Sequence, residues 1–422
     1  MSHQYLFGKR QTLIVFTLFC VLMVFDFADR MVIAALLPQL KSEWQLTDAQ
    51  SGLFGSVLYL GMVIFALPAS YVIQRWSRTK TAGLMGVLWS LSSMLGALAR
   101  TPSELTVTRA LVGIGEAGYA PAAYAWISAA FPRRRRQLAL GVFSACQAVG
   151  MAVGLVIGGY IAARFGWRHA IGILAIPGIL IAILLYHGKD YRIVLNDAAP
   201  ETQAQSERIT AGFRRILSTR SLLCAYFISA MGILQSVPVN YFLPSYLQRT
   251  HGLDISQASL LSSGLMVVSI FSVPFGGWLM DKLNDQPVLK LKYALLVISF
   301  ATFIYGNAFS DNFELPLQYL LILLAALVSA TTGIAILNMT QELIAPPLRA
   351  LSGTCLIIVL HLLGSAPAPY FTGLLSDLFG LGKALQIMVI SSGLLAILGI
   401  IVARFYYLKD LSRVEQVQLI PA

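Results

Sequence analysis

Charge is scarce in this chain: 12% of its 422 residues are Asp, Glu, Lys or Arg, against 57% that are hydrophobic. One soluble core cannot hide that much apolar surface, so a water-soluble globular fold is excluded and lipid must cover the remainder. Polar-apolar alternation is missing too. A closed β-barrel is the other way to satisfy backbone groups in lipid, but its strands alternate, and the apolar runs here do not. Cysteine is scarce: Cys20, Cys146, Cys224 and Cys355 fall singly inside apolar runs, without the close spacing of a zinc or redox site, and read as small packing residues. Nor is there a Ser-His-Asp arrangement, a metal-ligand cluster or a phosphate-binding glycine loop at credible depth, so no enzymatic reaction, cofactor or metal is expected.

What is present is a dozen apolar runs of about the 20 residues that cross a bilayer core of about 30 Å. They lie near 13–37, 52–73, 82–99, 105–130, 138–163, 170–187, 222–247, 258–280, 294–309, 317–338, 351–376 and 384–407. The expected fold is an all-α polytopic membrane protein with twelve transmembrane helices. The first run is too long for a signal-peptide core and no small-residue cleavage pattern follows it, so it stays as span 1.

The net charge of +11 raises the question of a nucleic-acid partner, and its distribution answers it. Of 30 Lys and Arg, 22 lie at the chain ends and in the even-to-odd connections, 6 lie in the other connections, and Arg30 and Arg109 lie within spans. That is a positive-inside asymmetry, and it places both termini in the cytoplasm. The run Arg133 to Arg136 reads as an anchor at anionic headgroups, so membrane lipids and not nucleic acid are the expected partners.

The most polar internal stretch, 188–219, contains Asp197-Ala-Ala-Pro200 and separates six spans from six. It predicts a cytoplasmic linker between an N-terminal half at 1–187 and a C-terminal half at 220–422. The halves echo each other: Leu37-Pro38 then Leu46-Thr-Asp-Ala-Gln-Ser51 in the first, Leu243-Pro244 then Leu253-Asp-Ile-Ser-Gln-Ala-Ser259 in the second, and Pro68 matched by Pro274. In span 5, Gly150, Gly154, Gly158 and Gly159 provide close helix packing or a rocking contact between halves.

Five ionisable residues lie well inside spans: Asp26, Asp29 and Arg30 in span 1, Arg109 and Glu116 in span 4. A charge at mid-membrane costs at least about 2.5 to 3.5 kcal/mol, so something must compensate. Asp26 and Arg30 are one helical turn apart; Arg109 and Glu116 are two turns apart and share a face. Pairing between spans 1 and 4 offsets the cost, and three acids against two bases leave a surplus acid able to take up a proton. The competing reading is that the charges only hold the helices in register. In the second half the polar candidates are Gln235, Asn240, Tyr241, Asn338 and His361, with a lone membrane histidine reading first as a packing residue.

These residues carry a resemblance. Gly277-Trp-Leu-Met-Asp281-Lys282 after span 8 resembles the Gly-x-x-x-Asp-Arg/Lys gating-loop motif of the major facilitator superfamily; the matching loop after span 2 keeps Arg75, Arg78 and Lys80 but lacks the acid. Asp29-Arg30, Thr108-Arg109-Ala-Leu-Val-Gly-Ile-Gly-Glu116-Ala-Gly-Tyr-Ala-Pro121, Phe131-Pro132-Arg-Arg-Arg-Arg136 and Phe165-Gly-Trp-Arg168 resemble the spinster branch of that superfamily, especially its bacterial members. Pro244 to Gly252 and Thr372-Gly-Leu-Leu-Ser-Asp377 support the same likeness in the second half.

The resemblance implies a secondary transporter in a bacterial inner membrane. It would work as a monomer by alternating access, moving a lysolipid- or sphingoid-like amphiphile in a proton-linked manner. It implies proton-coupling roles for Asp29 and Glu116, with Asp26 as an additional acid outside the family pattern. Substrate contacts fall to Arg109, Arg30, Tyr119, Gln235, Asn240, Tyr241, Asn338 and His361, and gating to Asp281, Lys282, Arg75 and Arg78. Organic-anion symporters of the superfamily share the Asp-Arg and span 4 pattern, so a small carboxylate or phosphate is the alternative substrate. A non-transporting receptor or scaffold is the alternative of another class.

The charge asymmetry makes the topology testable. In a background whose native cysteines are serine, a cysteine at Ser206 reacts with an impermeant maleimide only from the cytoplasm, and one at Asn312 only from outside. Labelling of the opposite sidedness overturns the orientation.

Overall fold

The computed structural model describes residues 5–191, 212–283, 286–310, 313–345 and 348–415; Ser206, Asn312 and the 197–208 part of the expected linker lie outside the described residues. Fourteen labelled helices carry the described fold. They are α1 (Lys9–Trp44), α2 (Asp48–Arg75), α3 (Arg78–Ala97), α4 (Pro102–Glu116), α5 (Tyr119–Ala130), α6 (Arg133–Phe165), α7 (Trp167–Tyr186), α8 (Arg220–His251), α9 (Ile255–Lys282), α10 (Pro287–Ala308), α11 (Leu315–Glu342), α12 (Arg349–Val359), α13 (Pro367–Phe379) and α14 (Leu381–Glu415). A π-helical turn, Leu360–Ser365, joins α12 to α13.

Local chemistry sets these boundaries. Thr47 accepts from the backbone of Gln50 while the Gln50 side chain accepts from that of Thr47, a reciprocal capping box that starts α2. Ser77 caps α3, and Thr101 with Pro102 at the first helical position caps α4. Gly166, at φ 85°, ends α6 and starts α7 within one residue, a conformation that side-chain-bearing residues rarely adopt.

Among the described residues, ten helical segments are long and apolar enough to cross a membrane: α1, α2, α6 to α11, α12 with α13, and α14. The remaining two expected spans are α3, made more polar by Ser90, Ser92 and Ser93, and the α4–α5 pair. Span 4 was expected as one run over 105–130, and the chain instead turns at Ala117 and Gly118, directly after Glu116. A methyl group on Gly118 would strike Met85, so the turn is seated tightly against α3.

The described residues form two compact units. One holds Met1–Ile193, Val239–Ile270 and Pro369–Leu381; the other holds Val194–Pro238, Phe271–Ala368 and Gly382–Ala422. In the first, Phe19, Leu22, Trp89, Tyr119, Trp126 and Phe143 are at most 1% exposed and form the middle of the core. In the second, Leu222, Tyr226, Ile336, Met339 and Tyr407 are at most 2% exposed and form the middle of that core.

Small residues decide how closely α1 approaches α6. A methyl group on Gly150 would meet the Val24 carbonyl oxygen, one on Gly154 the Ala28 carbonyl oxygen, and one on Gly158 the Val32 side chain. Three successive turns of α6 thus lie against three successive turns of α1 in fixed register. Gly159 faces Ser259 of α9 instead.

Overpacking such a contact costs about 1 to 3 kcal/mol, as inserted methylenes do elsewhere in tight cores. Gly154→Val should therefore lower the apparent Tm of the purified protein. Gly141→Val on the same helix, where nothing lies within 4 Å of an added methyl, should leave it unchanged. Equal melting of the two variants would overturn this account of the register.

Candidate functional site

All five intramembrane charges come together in the first unit. Arg109 of α4 donates from Nη1 to Asp29 Oδ2 at 2.9 Å and from Nη2 to the Asp29 carbonyl oxygen at 3.3 Å. Ser93 of α3 donates to the other Asp29 oxygen. Arg30 Nη2 bonds both oxygens of Asp26, at 3.1 and 3.0 Å, one turn back on α1. Its Nε lies 3.0 Å from Glu116 Oε2, within ion-pair distance but out of line for a hydrogen bond, and both Glu116 oxygens lack a hydrogen-bond donor. The expected pairing of spans 1 and 4 is therefore double: Arg109 holds Asp29, and Arg30 holds Asp26 and Glu116.

Arg109 and Glu116 share a face of span 4, but seven residues separate the two by about 10.5 Å along the helix, so the shared face is not a shared contact. Glu116 instead takes its base from α1.

Burial differs across the group. Asp26, Asp29, Arg109 and Glu116 are 1 to 4% exposed. The Arg30 side chain is 10% exposed and stacks over Phe27 at 4.3 Å, so Arg30 is the most open member of the cluster. Two further residues belong to it. Ser93 fixes Asp29, and Tyr59 of α2 lies within electrostatic reach of Arg30, Glu116, Arg109 and Asp26. The serine-rich stretch of span 3 was the only signal for the first, and nothing in the sequence marked Tyr59.

The other expected contacts are placed as follows. Tyr241 of α8 packs its ring on Gly55 of α2 and donates to the Ser51 carbonyl at 3.2 Å, near enough to Arg109 to feel its charge. Tyr119 is instead a core residue, fully buried against Trp89, with its hydroxyl given to the Phe19 carbonyl, which leaves nothing for a ligand. In the second unit, Gln235 spends its amide hydrogens on Thr302 Oγ1 and the Val389 carbonyl, at 3.0 and 3.2 Å. His361 Nδ1 meets Ser365 Oγ at 3.2 Å across the π-turn. Asn240, in the first unit, and Asn338, in the second, are half-buried.

Among the gating residues, the side chains of Arg75 and Asp281 lie outside the described residues. Lys282 sits 3.9 Å over the Trp278 ring. Arg78 is buried, donates from Nη1 to the Tyr191 carbonyl at 3.1 Å and stacks on the Tyr191 ring at 4.3 Å. The acid that the loop after span 2 lacks comes from elsewhere: Asp190 accepts from Ser77 Oγ at 2.6 Å and from the Arg78 backbone at 2.5 Å, capping α3.

A second polar centre, unmarked by the sequence reading, surrounds Asp48 at the start of α2. Arg249 of α8 grips its carboxylate with two bonds of 2.7 Å, Lys41 of α1 reaches it at 2.6 Å, and Ser376 of α13 donates at 2.6 Å. The next residue of α13, Asp377, accepts from the Asp48 and Ala49 backbone amides at 2.7 and 3.0 Å. The contact is close-packed, since a methyl on Gly373 would strike the Asp48 carbonyl and one on Gly52 the Pro369 carbonyl.

Breaking a buried pair by removing one partner costs about 3 to 5 kcal/mol, because the other charge is left alone. Asp29→Asn and Arg109→Gln should each lower the Tm substantially, and the double variant should recover part of the loss. Additive losses in the double variant would show that the two side chains do not act as a pair.

Known proteins share this arrangement of helices. Over 98% of this chain and 100% of the other, the fold matches a crystal structure of a bacterial homologue of the human lysosomal transporter Spinster in an inward-facing, unoccupied conformation, with a TM-score of 0.79 and 21% identity. An MFS-type efflux pump of Mycolicibacterium smegmatis is 25% identical over 92% of this chain and 91% of its own length. Protein spinster of Drosophila melanogaster is 25% identical over 86% of this chain, which spans 61% of that protein. The model of the Major Facilitator Superfamily matches residues 18–354, and the chain belongs to that superfamily of membrane transporters.

Proposed function

We propose that the chain is a proton-coupled secondary transporter that works by alternating access of two six-helix halves, 1–187 and 220–422, and moves an amphiphile with an anionic head group. The observation that carries this reading is the stoichiometry of the buried cluster. Three acids face two arginines, and one of them, Glu116, has no hydrogen-bond donor on either carboxylate oxygen. With all five ionised, one negative charge is left over at a depth where charge is costly; a single proton neutralises the group. Glu116 is the natural place for it, since Asp26 and Asp29 each receive hydrogen bonds from an arginine.

Of the two expected anchors, Arg109 and Arg30, this reading takes Arg30, and the exposure of the two supports it. Arg109 is 2% exposed and committed to Asp29 with both terminal nitrogens, whereas Arg30 is partly open. An anionic head group reaching Arg30 competes with Asp26 and Glu116 for one guanidinium, so substrate arrival and protonation of Glu116 favour each other. The spinster-type motifs in the sequence support a lysolipid- or sphingoid-type amphiphile as the first reading; the similarity to a benzoate and a cis,cis-muconate transport protein of Acinetobacter baylyi, 23% and 24% identical, supports a small organic anion as the second.

In the same reading, with both termini cytoplasmic, the Asp48 centre lies at the outer face and acts as a latch. It joins the start of α2 to the ends of α8 and α13, and it opens when the site turns outward. The protein acts as a monomer in a bacterial inner membrane.

The test is uptake into proteoliposomes with and without an imposed pH gradient, beside binding by thermal shift with lysolipids, phosphorylated sphingoids and small organic anions. Glu116→Gln should keep binding and lose the response to the gradient. Arg30→Gln should weaken binding of the anionic substrate by tenfold or more. A wild type that ignores the gradient sinks the coupling, and stabilisation by small anions alone moves the substrate class to them.

A further inference from the structure

The register between α1 and α6 reaches further than its glycines. Gly150 lies on Val24, Gly154 on Ala28 and Gly158 on Val32. One four-residue step earlier on both helices, the same register sets Cys146 against Cys20. The two thiols are in hydrogen-bonding contact there, and Cys146 Sγ also meets the Val142 carbonyl oxygen at 3.3 Å. Neither is sealed in: both are half-buried and pack on the rim of the first unit's apolar core. Cysteines that lie singly in the sequence thus form a pair in the fold, held by backbones too close to drift apart.

Two soft sulfur donors side by side select a particular chemistry. Zinc takes four ligands, or three and a water, and hard cations take oxygen. Among the described residues, no group of three or more His, Cys, Asp or Glu is placed to hold an ion. Two thiolates alone suit a soft cation or another thiophile content with two sulfurs. We propose that Cys20 and Cys146 form a dithiol site for thiophiles, in particular trivalent arsenicals and soft two-coordinate cations of the Cu(I) type. With an arylarsenoxide, two As–S bonds form, both thiol protons and the arsenoxide oxygen leave as one water, and arsenic stays trivalent, so no oxidant is required. With a soft cation, two metal–sulfur bonds form and two protons are released.

Bridging requires both sulfurs, which is what separates this site from a reactive single thiol. Purified protein in detergent is treated with phenylarsine oxide, desalted in excess glutathione, which strips arsenic held by one sulfur, and assayed for arsenic per chain. The wild type should retain about one arsenic per chain, and Cys224→Ser with Cys355→Ser should not change that. Cys20→Ser and Cys146→Ser, near-isosteric changes confirmed as folded by size exclusion and Tm, should each lower retention at least tenfold. The proposal is overturned if the wild type retains no more arsenic than the single-serine variants. It is overturned equally if retention follows Cys224 or Cys355.

Discussion

The bond between Arg109 and Asp29 is the constraint around which the first unit is arranged. An arginine and a carboxylate at mid-membrane are tolerable only together, so α4, packed on α2 and α3, must present Arg109 to α1 at the depth of Asp29. Small residues seat α4 closely on those two neighbours. Gly113 lets α4 sit against the Leu58 carbonyl of α2, and Gly115 lets it sit against Trp89 of α3. Closeness brings Ser93 within reach of the second Asp29 oxygen, and the remaining acids are then shared out on Arg30. Charge placement and small-residue placement are thus two descriptions of the same packing.

Much of this was legible in the sequence, because apolar length and the cost of charge in lipid are properties of composition. The spans, the superfamily and the gathering of five charges between spans 1 and 4 needed no coordinates. Partner choice did. Helical periodicity gives the angle at which a side chain leaves the axis and says nothing of which neighbour stands there, so the face that Arg109 and Glu116 share did not reveal that Glu116 takes its base from Arg30. The turn after Glu116 did leave a trace that an apolar-run reading passes over: Pro121 has no N–H to give the Ala117 carbonyl and its ring crowds that carbonyl, which breaks the helix there. Contacts between residues far apart in sequence, such as Asp190 on α3 and Cys20 on Cys146, leave no local trace.

Several polar side chains inside spans are held within their own unit: Tyr119, Gln235 and His361, the last of which reads from the sequence first as a packing residue, each have a partner there. The reason is general. With no water in the hydrocarbon, a hydroxyl or amide is retained mainly where the fold already meets its hydrogen-bonding demand. The informative residues are those whose demand is unmet, as at Glu116, or met in excess, as at Asp48.

Asp377 carries one more implication. It caps α2 from a helix more than 300 residues later in the chain, so the first amides of α2 have no local substitute for that carboxylate. If the two segments part, the Asp48 and Ala49 amides lose Asp377 and the Asp48 carboxylate loses Ser376, and only solvent can replace them. Separation and hydration at this end of the molecule must therefore occur together. The contact behaves as a wetting barrier: a dry gap is costly from either side, a flooded one is cheap, and states in between are sparsely populated.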